Sequence, residues 1–173
     1  MKLSAALVIT STYLLSLPAI AAYGTPFDGW GFVQDDWQVV CDNTLTCRAA
    51  GYAEESQLET PASILLTALP KVAVPKAQVQ FLSETSEQRF TDVELWLDGK
   101  NFGNLTSNDD GYTYDLTTQQ TKYLINHARL NTKIEIKAGG ETWPISDKGM
   151  NAVLLKLDEV QGRVGTPIAL VSK

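Results

Sequence analysis

This chain is poor in the side chains that carry most catalytic and metal chemistry. Among 173 residues it has one histidine, His127, and two cysteines, Cys41 and Cys47. No zinc-binding pattern can be assembled from so few ligands. Ser-His-Asp chemistry needs His127 as its base, but no G-x-S-x-G or other nucleophile turn accompanies it. His127 therefore reads as an ordinary helix residue. Positive charge is also short, with 14 Lys and Arg against 20 Asp and Glu for a net charge of −6. The acid is concentrated early, where Asp28, Asp35, Asp36, Asp42, Glu54, Glu55 and Glu59 stand against Arg48 alone. Such a surface disfavours nucleic acid and anionic lipid and suits a basic protein partner. Beyond the N-terminus no apolar run approaches the length of a membrane span.

The first 22 residues read as an export signal. Met1-Lys2 gives a positive start, Leu3 to Leu17 an apolar run, and Pro18 a break before the small residues Ala19, Ala21 and Ala22. Cleavage after Ala21 or Ala22 leaves a chain from about Tyr23, one charge unit more acidic once Lys2 is gone. The expected compartment is a bacterial periplasm. Residues 23–173 are expected to form one domain, a length that supports a sizeable core.

In that oxidising compartment Cys41 and Cys47 are expected to pair. Asp42 to Thr46 between them suits a turn, and the flanks Trp37-Gln-Val-Val and Arg48-Ala-Ala-Gly-Tyr52 read as strands. A bridge would staple this hairpin and contribute on the order of 2 kcal/mol. A redox pair or half a metal site is the competing reading. The spacing is not C-x-x-C and no histidine lies near, so the structural bridge is preferred.

Further strands are expected over Ser63 to Leu69, halted by Pro70, and over Ala77 to Leu82. Thr91 to Asp98 is the clearest, with Val93, Leu95 and Leu97 on the side opposite Trp96. Asp98-Gly99 turns the chain towards Phe102 and Leu105. Thr117 with Gln120 makes a capping box for a helix from about Thr118 to Arg129. Thr132 to Ala138 and Glu141 to Ile145 flank a Gly139-Gly140 turn. Ser146 or Asp147 caps a last helix bearing Val153, Leu154, Leu157 and Val160, which Gly162 ends. Asp158 and Glu159 fall on its polar side, and Thr166 to Val171 reads as a closing strand. The predicted fold class is α+β, an antiparallel hairpin-rich sheet with two helices and one disulfide-stapled hairpin.

No catalytic set emerges. Asn108-Asp109-Asp110-Gly111 has the look of a calcium loop, but that register puts Thr106 and Thr117 where carboxylates are required, so it reads as a turn. Paired carboxylates could hydrolyse a glycan, yet Asp35 and Asp36 as strand neighbours point to opposite faces. Neither a metal nor a cofactor is expected. The preferred contact loop is Asn104 to Asp115. Tyr112 and Tyr114 are expected to share a face there, beside Asn108, Asp109 and Asp110. Loops of this composition make adaptable contacts at modest ordering cost.

Three segments together resemble a known family: Phe32 to Tyr52, Ser63-Ile-Leu-Leu-Thr, and Ala152 to Pro167. They are similar to the N-terminal half of the exported bacterial family of unknown function numbered 1176. The resemblance implies exported relatives about twice as long and richer in cysteine, and it implies no activity. The functional expectation is a non-enzymatic periplasmic inhibitor that binds a basic cell-envelope enzyme or toxin, most concretely an immunity protein. An envelope glycan or peptide hydrolase using carboxylates, or a structural or stress-related envelope component, is the alternative.

Overall fold

A computed structural model describes residues 29–53, 61–82, 90–127 and 132–171. The expected export signal, the acidic loop after Ala53 and the last two residues of the helix expected to reach Arg129 lie outside these residues.

The architecture is α+β. Strands β1 (Trp30–Gln34), β2 (Trp37–Cys41), β3 (Cys47–Tyr52), β4 (Ala62–Ala68) and β5 (Lys76–Phe81) form an antiparallel meander. Strands β8 (Thr106–Ser107) and β9 (Thr113–Asp115) complete a larger sheet in the order β1-β2-β3-β4-β5-β9-β8. Strands β6 (Glu94–Leu97), β7 (Lys100–Asn104), β10 (Ile134–Ala138) and β11 (Glu141–Ile145) make a smaller one, in the order β11-β10-β6-β7.

Alternation of side chains decides which face of the larger sheet is covered. Trp37, Val39, Cys41, Cys47, Ala49, Ile64, Leu66, Val79 and Phe81 all point inward and are buried. Helix α2 (Met150–Val160) lies against β1, β2 and β3 on that side. The smaller sheet adds Leu95, Leu97, Ile134, Ile136 and Trp143 to the same core. Phe81, Phe90, Tyr114 and Trp143 meet edge-on or tilted at 4.8 to 5.7 Å where the two sheets join. Among the described residues no helix or second sheet covers the outer face of the larger sheet.

Helix α1 (Thr118–His127) opens with the expected capping box. The Gln120 amide N–H reaches Thr117 Oγ1 at 3.2 Å, and Gln120 Oε1 accepts from the Thr117 amide at 2.8 Å. Gln120 Nε2 also donates to the carbonyls of Phe102, Gly103 and Asn104, tying the helix to β7.

Several expectations need correction. Strand β1 is an addition, since no strand was expected over Trp30 to Gln34. Helix α2 has no side-chain cap: Gly149 holds the N-cap position at φ 87°. Ser146 Oγ is committed to Asp36 Oδ2, and Asp147 offers the Met150 amide only its carbonyl. Asp158 is not on the polar side of α2 but fully buried. The tail to Val171 forms turns rather than a strand. Its end is fixed by the Val171 amide donating to Asp158 Oδ2 at 2.9 Å.

Candidate functional site

The solvated face of the larger sheet carries three rows of outward side chains set by strand register. The central row crosses Val33, Gln38, Ala50, Leu65, Gln78 and Asp115. Val40, Arg48, Thr67 and Lys76 lie in the row on one side, and Tyr52, Ser63, Gln80 and Thr113 in the row on the other. Four large apolar side chains remain substantially exposed here: Val33 (67 %), Leu82 (58 %), Val40 (57 %) and Tyr52 (43 %). Scattered apolar residues are normal on a protein surface, and these four share one sheet face.

Three of them, Val40, Tyr52 and Leu82, line a hollow of about 380 Å³ together with Arg48 and Leu65. A second hollow of about 500 Å³ sits at the β1–β2 turn, lined by Val33, Asp35, Asp36 and Lys148, and shares Gln38 and Tyr52 with the first. A third, about 290 Å³, is bounded by Tyr112 and Thr113 and shares Gln80 and Leu82. The common walls make one shallow groove from Tyr112 to Asp35. Gln38 Nε2 donates to the Tyr52 hydroxyl at 2.5 Å, which holds both side chains upright at its middle.

The Asp35 end of the groove is braced, and so is the neighbouring part of the sheet at β9. At the Asp35 end, the Trp37 indole N–H donates to the Ser146 carbonyl at 2.7 Å and the Asp36 amide to the Lys148 carbonyl at 3.3 Å. These bonds fasten the β1–β2 turn to the start of α2. Beyond the groove, on β9, Asp115 accepts from Gln78 Nε2 at 2.8 Å and Asn108 Nδ2 at 3.1 Å, with Lys76 Nζ at 3.2 Å. Partial burial pushes the Asp115 carboxyl up, but the donors Asn108, Gln78 and Lys76 outweigh it and hold it below its ordinary value.

The loop predicted to reach a partner divides between surface and scaffold. Asp109 is exposed, and Tyr112 is half-buried at the groove's end. Asp110 Oδ1 accepts from the amides of Tyr112 and Thr113, both at 2.9 Å, and Asn108 braces Asp115, so both shape the turn. Tyr114 is a core residue, 1 % exposed. Its hydroxyl donates to the Phe90 carbonyl at 2.8 Å and accepts from the Phe90 amide at 3.1 Å. The expectation that Tyr112 and Tyr114 share a face is corrected because regular strand begins only at Thr113. The turn ending at Gly111 rotates Tyr112 out of that alternation.

Cys41 and Cys47 form the expected disulfide, closing the β2–β3 hairpin. Within the closed loop Asp42 Oδ1 accepts from the amides of Thr44 and Thr46 and from the Thr44 hydroxyl. The Thr44 hydroxyl does most to hold the Asp42 carboxyl below its usual range. His127 stacks edge-on to Phe102 at 6.0 Å and bonds the Tyr123 carbonyl through Nδ1 at 2.7 Å, which is a local role. Among the described residues no group of three or more His, Cys, Asp or Glu is placed to hold a metal. The groove residues Gln38, Val40, Tyr52 and Leu82 were missed from sequence. Their signal was the alternation that identified the inward residues, read for its other half.

A family model described as a protein of unknown function (DUF1176) matches residues 32–173, most of the chain. The chain belongs to this family. The match takes in the whole groove, from Val33 to Lys148. No curated protein and no solved structure matches the chain.

Proposed function

We propose that this member of the DUF1176 family is a non-enzymatic binding protein of the periplasm that acts through the open face of its larger sheet. In its most concrete form it is an immunity protein that inhibits a basic, cell-wall-targeting enzyme. One observation carries the reading: Val40, Tyr52 and Leu82 stand exposed around a hollow on a sheet face that no other described element covers. Exposing apolar area this way is unfavourable in water unless a partner covers it. The central Gln38–Tyr52 pair supplies an aromatic wall and an amide, the mixture favoured where a contact must be both apolar and hydrogen-bonded. The net charge of −6 speeds encounter with a basic partner.

The test is capture of envelope enzymes on immobilised protein, followed by their activity with and without the protein in solution. A cell-wall hydrolase bound one to one and silenced is the expected result, weakened at least tenfold by Tyr52→Ala or Val40→Asp. Inhibition untouched by both substitutions sinks the sheet face as the contact. Release of peptidoglycan fragments by the protein alone sinks the non-enzymatic reading.

A further inference from the structure

Sheets end in strands whose outer backbone groups invite another strand, and proteins blunt these edges. Three of the edges here are blunted. Strand β8 is two residues long. Strand β11 contains Pro144, which has no amide to donate, and its Ile145 is bridged to Ala53. Strand β7 begins with Lys100, has Gly103 at φ 95°, and meets β6 through an irregular register. Among the described residues strand β1 differs from all of them. It runs five residues, Trp30-Gly-Phe-Val-Gln34, in unbroken register with β2, with no charge, proline or bulge.

Register also shows which groups face outward. The two-residue Asp35-Asp36 turn makes Gln34 and Trp37 a hydrogen-bonded pair, and bonded pairs then recur every second residue. Trp30, Phe32 and Gln34 spend their amides and carbonyls on β2, while those of Gly31 and Val33 point away. The same alternation makes Cys41 and Cys47 a close, non-hydrogen-bonded pair across β2 and β3, as their 4.0 Å Cα separation requires.

We propose that β1 is a dimerisation edge, pairing antiparallel with β1 of a second copy about a two-fold axis at Phe32. In that register Gly31 faces Val33 of the second copy, so every outward amide and carbonyl on those residues meets its complement. The 67 % exposed Val33 side chain passes over a glycine rather than another bulky group. Phe32 faces its own counterpart at a non-hydrogen-bonded position, where side chains come closest. Trp30, stacked on Phe32 with centroids 6.2 Å apart, extends the aromatic contact, and both rings are only partly buried in the monomer. Asp35 falls opposite Gly29, leaving the two Asp35 side chains roughly 20 Å apart. That exceeds the screening length of about 8 Å at physiological salt. Backbone donors and acceptors and the central side chains thus match those of the same strand in reverse, which commits the edge to a second copy. Because Val33 lines the groove, pairing places two grooves side by side on one continuous sheet face. This inference stands independently of the inhibitor reading.

The experiment is sedimentation velocity on the purified protein from low to high micromolar concentration, with hydrogen exchange read at single amides. A species of twice the monomer mass is expected, held more tightly at higher salt because both copies are acidic. The amides of Gly31 and Val33 should be protected in the dimer. Val33→Lys should return the monomer, leave far-UV dichroism unchanged, and expose those two amides while Phe32 stays protected through β2. Val33→Pro, which removes an outward donor and no bond to β2, should do the same. A monomer at every concentration and salt overturns the proposal. So does a dimer that survives both variants, or protection of Gly31 and Val33 in a monomer.

Discussion

At the scale of single residues, the core's least expected members are Asp158 and Arg163, 0 % and 1 % exposed. Arg163 Nε lies 3.0 Å from Asp158 Oδ1, as an ion pair without the alignment of a hydrogen bond. Arg163 Nη1 donates to the Gln161 side chain at 3.0 Å and more weakly to the Val72 carbonyl at 3.3 Å. Gln161 Nε2 reaches the carbonyls of Leu45 and Ala68 at 2.6 and 3.0 Å. Together these side chains fasten the end of α2 to the loops between β2 and β3 and between β4 and β5. Burial pushes the Asp158 carboxyl up and the Arg163 guanidinium down, and their mutual attraction opposes both shifts. A buried pair of this kind adds little net stability, but removing one partner strands the other charge. Asp158→Ala or Arg163→Ala should therefore cost about 3–5 kcal/mol by urea unfolding. The double change to Leu and Met should recover most of that loss. Asp158 follows Leu154 at i+4 and so occupies the apolar face of the helix. Its charge concealed from sequence a position that the spacing gave away.

At the scale of elements, local chemistry was legible wherever one turn or cap decides the geometry. The Asp98-Gly99 and Gly139-Gly140 turns, the Thr117–Gln120 box and the stapled hairpin all form as expected. What failed depends on contacts distant in sequence. Strand β1 is held by β2 and α2, and the start of α2 is set by the β1–β2 turn rather than by a capping side chain. A Cβ at Gly149 would lie 1.9 Å from the Gln34 carbonyl oxygen, whereas one at Gly140 meets nothing within 4 Å. Both glycines have similar positive φ, 87° and 83°. Gly140→Ala should thus cost only the backbone term, about 1–2 kcal/mol. Gly149→Ala should cost more than that by urea unfolding, because the β1–β2 turn must also move. Equal costs would show that the turn is not clamped against α2.

At the scale of the whole molecule, the groove was the part least visible beforehand. Each strand's outward residues look like ordinary solvated positions, and only register brings Tyr52, Val40 and Leu82 around one hollow. Register also distributes the carboxylates that fix the pH response. Asp42, Glu94 and Asp115 each brace a different part of the two sheets, and donors hold all three below their ordinary values of 3.8, 4.5 and 3.8. For Glu94 the Trp96 indole N–H contributes most, followed by Asn101. A carboxylate with a lowered folded-state pKa contributes stability that is full above its unfolded value and lost as pH falls through the folded one. Asp158 acts in the opposite direction, since burial raises its carboxyl and protonation then favours the folded state. The contributions of Asp42, Glu94 and Asp115 should therefore be full at neutral pH and decline once pH drops below the ordinary carboxylate range. Asp115→Asn isolates one contribution. The variant should be less stable than the parent at pH 7 by under about 1 kcal/mol, given a side chain still 30 % exposed. By pH 3 the gap should narrow, because the parent's carboxyl is then taking up the proton that removes its charge. Urea midpoints measured across that range check the sign: a gap that widens on acidification would show that Asp115 is not held low by its donors.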